Sequence, residues 1–310
     1  MKVAIIGAGA MGGLYGGVLM EKGHDVYLID VDEKHVQAIN ENGLKIHHVK
    51  TEESKNYELK AYTDATNIKE KMDLIILLVK TYVTEEAVKQ NKHLVSDDTI
   101  FLTLQNGAGN IEKIEQYIDK NQIIAGTTST AGFITEPGVV EHTGDGGTHI
   151  GEIDGTVTDR IEMVHDLFVD DRLGESIIEE NVMSLIWEKL IANCGINPIG
   201  ALTYLRNGDN INDEEKQWLY DQITQEALQV AEAEGIKLSF NDSSGIKKVA
   251  EATAANQTSM LIDVKNERKT EIEAINGEIV RKAKEHGLQA PVNETLLNLV
   301  LLREKHYLQN

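Results

Sequence analysis

The stretch "KVAIIGAGAMGG" at residues 2–13 constrains the fold more than any other part of the chain. Val3, Ala4, Ile5 and Ile6 form a short apolar run that suits a fully buried strand. Gly7, Gly9 and Gly12 follow as G-x-G-x-x-G, and a helical pattern then runs to about residue 22. Each glycine has a separate physical use: the first allows a tight turn, the second lets backbone approach a pyrophosphate, and the third lets helix pack on strand. Gly7, Ala8, Gly9, Ala10, Met11 and Gly12 are therefore candidates for a dinucleotide-binding turn, with the helix N-terminus offering N–H groups to the phosphates. The motif alone is weak, because glycine-rich turns without a ligand exist. Its place between a strand and a helix gives it weight.

The following residues repeat the same alternation. "DVYLID" (25–30), "DLIILLV" (73–79), "TIFLTL" (99–104) and "QIIAGT" (122–127) read as short buried strands, and residues 32–42 and 84–93 as helices. Such alternation implies a parallel sheet covered on both faces. Residues 132–156 are glycine-rich, with strand-like pieces that suggest antiparallel strands and turns. A helix over 158–170 and a strand over 176–180 come next. Beyond residue 180 there is little strand signal. Helices are expected at 211–235, with Asn212 as N-cap, from about 242, and over 270–287. The expectation is an α/β chain: a Rossmann-type doubly wound sheet over 1–180, then an all-helical domain over 181–310.

Composition narrows the function. With 30 basic and 51 acidic residues the formal charge is −21, which disfavours nucleic acid and anionic membrane surfaces as partners. A small anionic substrate would be repelled too, so its site needs local cations. The one cysteine, Cys194, allows no intramolecular disulfide, and no histidine spacing suggests a metal site. The longest apolar run, "LIILLV", is far too short to span a bilayer, and the chain opens directly on a strand. A cytoplasmic protein is the expectation. The helical half could present a homodimer surface or only bury its own core.

Three positions stand where this fold class binds ligands, at the carboxyl ends of strands. Asp30 ends the second strand, 18 residues after Gly12. A carboxylate there accepts from a ribose 2′-OH and repels a 2′-phosphate, favouring NAD over NADP; read blandly, it caps the next helix. Lys80 follows "DLIILLV", and Asn106 follows "TIFLTL" within an Asn-Gly turn. In "WEKLIANCGINP" (187–198), Lys189, Asn193 and Asn197 recur every four residues, so one helix face carries a cation and two amides among apolar neighbours. That face is either solvated or lines a specific wet site.

"GAGAMGG", "LVK" (78–80), "LQNGAG" (104–109), "GTTST" (126–130), "WEKLIANCGINP", "TSMLIDV" (258–264) and "TEIEAING" (270–277) occur in that order. Together they resemble the ketopantoate reductase (2-dehydropantoate 2-reductase) family over nearly the whole chain. The resemblance implies that Lys189 is the general acid protonating a substrate carbonyl oxygen as hydride arrives. It implies substrate contacts for Asn193, Asn197, Ser259 and Glu271, and a place for Asn106 near both nicotinamide and substrate. Lys80 matches a lysine near the cofactor. Read alone, Glu271 would be a first-turn helix acid and Ser259 an ordinary helix serine.

One departure stands out. The family usually takes NADPH and carries a basic residue near the end of the second strand, where this chain has Asp30. The family also contains NAD-dependent D-2-hydroxyacid dehydrogenases, D-mandelate dehydrogenases among them. The sequence therefore favours NAD-dependent reduction of bulky or branched 2-oxo acids to D-2-hydroxy acids. The alternatives are a biosynthetic 2-dehydropantoate 2-reductase and a non-catalytic dinucleotide sensor, which would leave Lys189, Asn106 and Glu271 unexplained.

Overall fold

The computed structural model describes residues 1–309. The chain forms two compact units, one of residues 1–105 and 110–182, the other of 106–109 and 183–310.

In the first unit the order is β1 (Lys2–Ile6), α1 (Ala10–Glu21), β2 (Asp25–Ile29), α2 (Glu33–Asn42), β3 (Leu44–His48), β4 (Glu53–Tyr57), β5 (Lys60–Tyr62), β6 (Leu74–Leu77), α3 (Thr84–Asn91), β7 (Ile100–Thr103), α4 (Asn110–Ile114), β8 (Ile123–Thr128), β9 (Ala131–Glu136), β10 (Val139–Gly144), β11 (Thr148–Glu152), α5 (Asp159–Phe168) and β12 (Ser176–Ile178). Eight strands make the main sheet, in the order β12-β11-β8-β7-β6-β1-β2-β5. The six from β8 to β5 are parallel, and β11 joins antiparallel to β8. The period-2 alternation of β1 divides two cores. Val3 and Ile5 pack with Leu14, Val18 and Leu19 of α1, and Ala4 and Ile6 pack with Val88 of α3 and Ile114 of α4. Helices thus cover both faces, which is the doubly wound Rossmann arrangement.

The glycine-rich region divides between two sheets. A second, four-stranded sheet runs β4-β3-β10-β9. Its β9–β10 hairpin is antiparallel, while β10 pairs parallel with β3 from far earlier in the chain. Leu44, Ile46, Tyr57 and Val140 of this sheet pack against α1.

The second unit is helical: α6 (Val182–Thr203, whose first residue belongs to the first unit), α7 (Glu214–Ala233), α8 (Ser244–Ala252), α9 (Ser259–Lys265), α10 (Asn276–Glu285) and α11 (Pro291–Leu308). Helix α7 buries Tyr220, Ile223, Ala227 and Val230 at three- and four-residue spacing. Two expected boundaries move. Asp213, not Asn212, occupies the N-cap of α7. The helix expected over 270–287 starts only at Asn276, and residues 271–275 form a turn in which the Glu271 carbonyl accepts from the Ala274 and Ile275 N–H groups.

Candidate active site

The dinucleotide turn is built from backbone. Gly7 has φ +98°, and a Cβ there would stand 2.7 Å from the backbone of Leu78 and Val79. Its N–H donates to Ile29 O, and the Leu78 N–H donates to Ile6 O, so the turn is clamped between β2 and the end of β6. A Cβ on Gly12 would lie 2.0 Å from the Gly7 carbonyl oxygen, so helix and strand meet only because that atom is missing. Gly9 differs: no protein atom lies within 4 Å of where its Cβ would stand. Packing does not demand that glycine, whereas close approach of a pyrophosphate would. Gly9 is also the N-cap of α1, with no side-chain cap and no acid in the first turn. The leading N–H groups of α1 and its dipole therefore suit an anion.

A residue that sequence reasoning missed supports this turn. His35, buried on α2, accepts the Gly138 N–H at Nδ1 (3.0 Å), which fixes the proton on Nε2, and Nε2 donates to the Ala8 carbonyl at 3.0 Å. The imidazole ties the turn to the β9–β10 hairpin. Its sequence signal is slight, since both partners come from distant segments.

Asp30 stands at the end of β2, and its Oδ1 accepts the Asp32 N–H. Capping of α2 falls to Asp32 instead, whose carboxylate accepts from the Lys34 and His35 N–H groups. The bland reading of Asp30 as a helix cap is thereby removed. Lys80 follows β6 and begins a 3₁₀ turn, Thr81–Val83. Beside it, Gln105 Nε2 donates to Val79 O (2.8 Å) and Thr84 Oγ1 (2.7 Å), joining the ends of β6 and β7.

Asn106, Lys189, Asn193, Asn197, Ser259 and Glu271 all belong to the second unit. Lys189 and Asn193 are half-buried on α6, and Asn197 is buried on the same stripe. Although the Lys189 surface is partly open, protein packs closely around the ammonium. Burial pulls its pKa down to about 8, and the Glu271 carboxylate pulls the other way. Glu271 is buried in the turn before α10. In the loop after β7, Gly107 has φ +81°, and a Cβ there would lie 2.6 Å from the Ala274 carbonyl. The Asn106–Gly109 loop therefore rests on the turn that carries Glu271. Ser259 is exposed in the first turn of α9, just after the N-cap Thr258, whose hydroxyl accepts the Leu261 N–H. Thr258 also packs on Gly200 of α6: a Cβ on that glycine would meet its Oγ1 at 3.0 Å. Cys194 is buried, and burial pushes its thiol far above the usual range, so it is no nucleophile.

A strand–glycine turn–helix on a doubly wound sheet, followed by a helical unit, is the arrangement in which NAD(P)-dependent oxidoreductases hold their cofactor. Ketopantoate reductase PanE/ApbA matches residues 3–155, and its C-terminal part matches 181–304. The 2-dehydropantoate 2-reductase of Pyrococcus abyssi is 38% identical over 98% of each chain. That of Archaeoglobus fulgidus is 35% identical over 96% of each. A PanE/ApbA family ketopantoate reductase from Ralstonia eutropha JMP134 superposes with a TM-score of 0.89 at 31% identity, covering 99% of this chain and 100% of that one. A D-mandelate dehydrogenase solved with NADH and anilino(oxo)acetate gives 0.88 at 28% identity, with 99% of both chains covered. The chain belongs to the ketopantoate reductase family. Among the described residues, no helix is long and apolar enough to cross a membrane.

Proposed function

We propose that this enzyme uses NADH to reduce a small branched 2-oxo acid to its D-2-hydroxy acid, with Lys189 as general acid. The observation that carries the reading is the burial of Lys189, which brings its pKa to about 8 within reach of the Glu271 carboxylate. A donor poised near the working pH is protonated in the ground state and still able to release its proton. A nicotinamide dinucleotide held at Gly7–Gly12 would supply a hydride to the carbonyl carbon. Lys189 Nζ supplies the proton to the oxygen, so one C–H and one O–H bond replace the carbonyl π bond. As an ammonium it also stabilises the charge that develops on that oxygen. Glu271 favours the charged lysine, and the Asn193 and Asn197 amides, with Ser259 and Asn106, would hold the substrate without adding charge.

The cofactor preference rests on Asp30. Its Oδ1 is engaged by the Asp32 N–H, and Oδ2 would accept from a ribose hydroxyl. Asp32 and Glu33 add negative charge beside it, against which only Lys34 stands, so a 2′-phosphate would be repelled. Gly7–Gly12 would hold the pyrophosphate, with Lys80 nearby along the strand ends.

The substrate favoured by the relatives is 2-dehydropantoate, since reductases of that acid share 31–38% identity over nearly the full length. The acidic Asp30 and the NADH-bound D-mandelate dehydrogenase support bulkier acids as a second reading. A steady-state comparison of NADH and NADPH with 2-dehydropantoate, phenylglyoxylate and 2-ketoisovalerate separates them. Expected is a preference for NADH of at least about tenfold in kcat/KM, that is about 1.4 kcal/mol, with 2-dehydropantoate the best substrate. A strong NADPH preference would overturn the reading of Asp30. Turnover of none of the three would overturn the reading as a reductase of such acids.

A further inference from the structure

Pro198 lies inside α6, the helix that carries Lys189, Asn193 and Asn197. A proline has no N–H, so the carbonyl four residues earlier, that of Cys194, has no helical donor. Cys194 is fully buried, so bulk solvent does not reach that oxygen. The donor comes from elsewhere in the second unit: Asn276 Nδ2, at the start of α10, lies 3.1 Å from Cys194 O.

Asn276 is itself completely buried, and its amide sits in a chain of hydrogen bonds. Nδ2 also donates to Asn293 Oδ1 at 2.9 Å. Asn293 Nδ2 donates to the Glu226 carboxylate at 2.8 Å and to Ile223 O at 3.3 Å. The same carboxylate accepts the Val292 and Asn293 N–H groups at the start of α11. Both atoms beside Asn276 Nδ2 are oxygens, so the amide can stand only one way round. Its Oδ1 has no partner. A buried amide that leaves its own oxygen unsatisfied in order to reach one carbonyl is a costly arrangement, and the carbonyl it reaches is the one Pro198 leaves open.

We propose that Asn276 is a positioning residue: it replaces the helical hydrogen bond that Pro198 removes from α6 and so sets the aim of Lys189, Asn193 and Asn197. Cys194 lies between Asn193 and Asn197 in the turn just after Lys189. A change in the path of the helix there alters the angle between the proton donor and the amides. The inference rests on the reading of α6 as the substrate-binding helix.

The test is a double-mutant cycle read in turnover, using NADH and whichever 2-oxo acid is turned over best. Asn276→Leu is introduced alone and together with Pro198→Ala, which returns an N–H to the Cys194 carbonyl. Asn276→Leu alone should lower kcat about 10- to 100-fold through misplacement of the donor. The dissociation constant for NADH, measured by fluorescence titration, should stay within about twofold, because the residue acts on the other half of the reaction. In the Pro198→Ala background the same substitution should cost no more than about threefold. Asn276→Ala, which removes the donor without adding charge, reads the same cycle if the leucine variant does not fold. Equal losses in both backgrounds, or no loss at Asn276, would overturn the proposal. Lys189→Ala checks the underlying reading separately: near-normal turnover there removes the role of α6, whereas equal Asn276 losses with Lys189 still essential remove only this inference.

Discussion

At the scale of single residues, Lys189 is the position whose chemistry is most open to measurement. Its pKa of about 8 has one dominant cause, burial, with Glu271 opposing it. The sign of the pH dependence follows. Reduction needs the ammonium, so kcat/KM for the 2-oxo acid should hold at low pH and fall tenfold per pH unit once pH passes about 8. Oxidation of the hydroxy acid needs the free amine and should rise through the same point. Pre-steady-state or steady-state pH profiles in both directions check this, and a reduction rate flat to pH 10, near an ordinary lysine value, would contradict it. Lys189, Asn193 and Asn197 were legible in the sequence because a four-residue recurrence is a local pattern. Asn276 was not legible in that way. It stands in a quoted motif, yet its partner Cys194 is 82 residues away, and no periodicity reports such a bond. Glu271 was singled out only through the family resemblance, and read alone it was set in a first helical turn; it lies instead in the turn before α10, because the helix starts only at Asn276.

At the scale of elements, the alternation of short apolar strands and helices made the main sheet readable, since strands buried on both faces leave an almost continuous apolar signal. The second sheet was only half readable. Of its strands, β10 was readable among the glycines over 132–156, but its hairpin partner β9 was not, and "ESKNY" of β4 exposes four of its five residues and carries no strand signal. The parallel pairing of β10 with β3 joins residues more than 90 positions apart. That pairing has a consequence for the dinucleotide turn, because it places Gly138 where it donates to His35. His35→Leu should therefore raise the dissociation constant for NADH by up to about 30-fold, for the loss of two buried hydrogen bonds worth about 1 kcal/mol each, with kcat at saturating NADH little changed. His35→Gln, whose amide can donate to Ala8 O and accept from Gly138, should recover most of the affinity. Isothermal titration of NADH decides it, and an unaltered affinity in the leucine variant would remove the role assigned to His35.

At the scale of the whole molecule, the candidate site residues divide between the two units. Gly7–Gly12, Asp30 and Lys80 belong to the first unit, and Asn106, Lys189, Asn193, Asn197, Ser259 and Glu271 to the second. The sequence showed the order of the sheet and the helices through the loss of strand signal after residue 180. It did not show that residues 106–109, between strands of the first unit, cluster with the second. The close approach of Gly107 to Ala274 accounts for this, and it is a contact between segments some 167 residues apart. With a formal charge of −21, the chain as a whole opposes an anionic acid, so a site for one needs local cations. The most direct measurement is turnover of NADH and 2-oxo acid by the Lys189→Ala enzyme, with NADH affinity measured on the same sample. Turnover should fall by at least about 100-fold while NADH binds as in the wild type, since general acid catalysis is worth roughly 10²–10⁴. Turnover within about tenfold of wild type would contradict it.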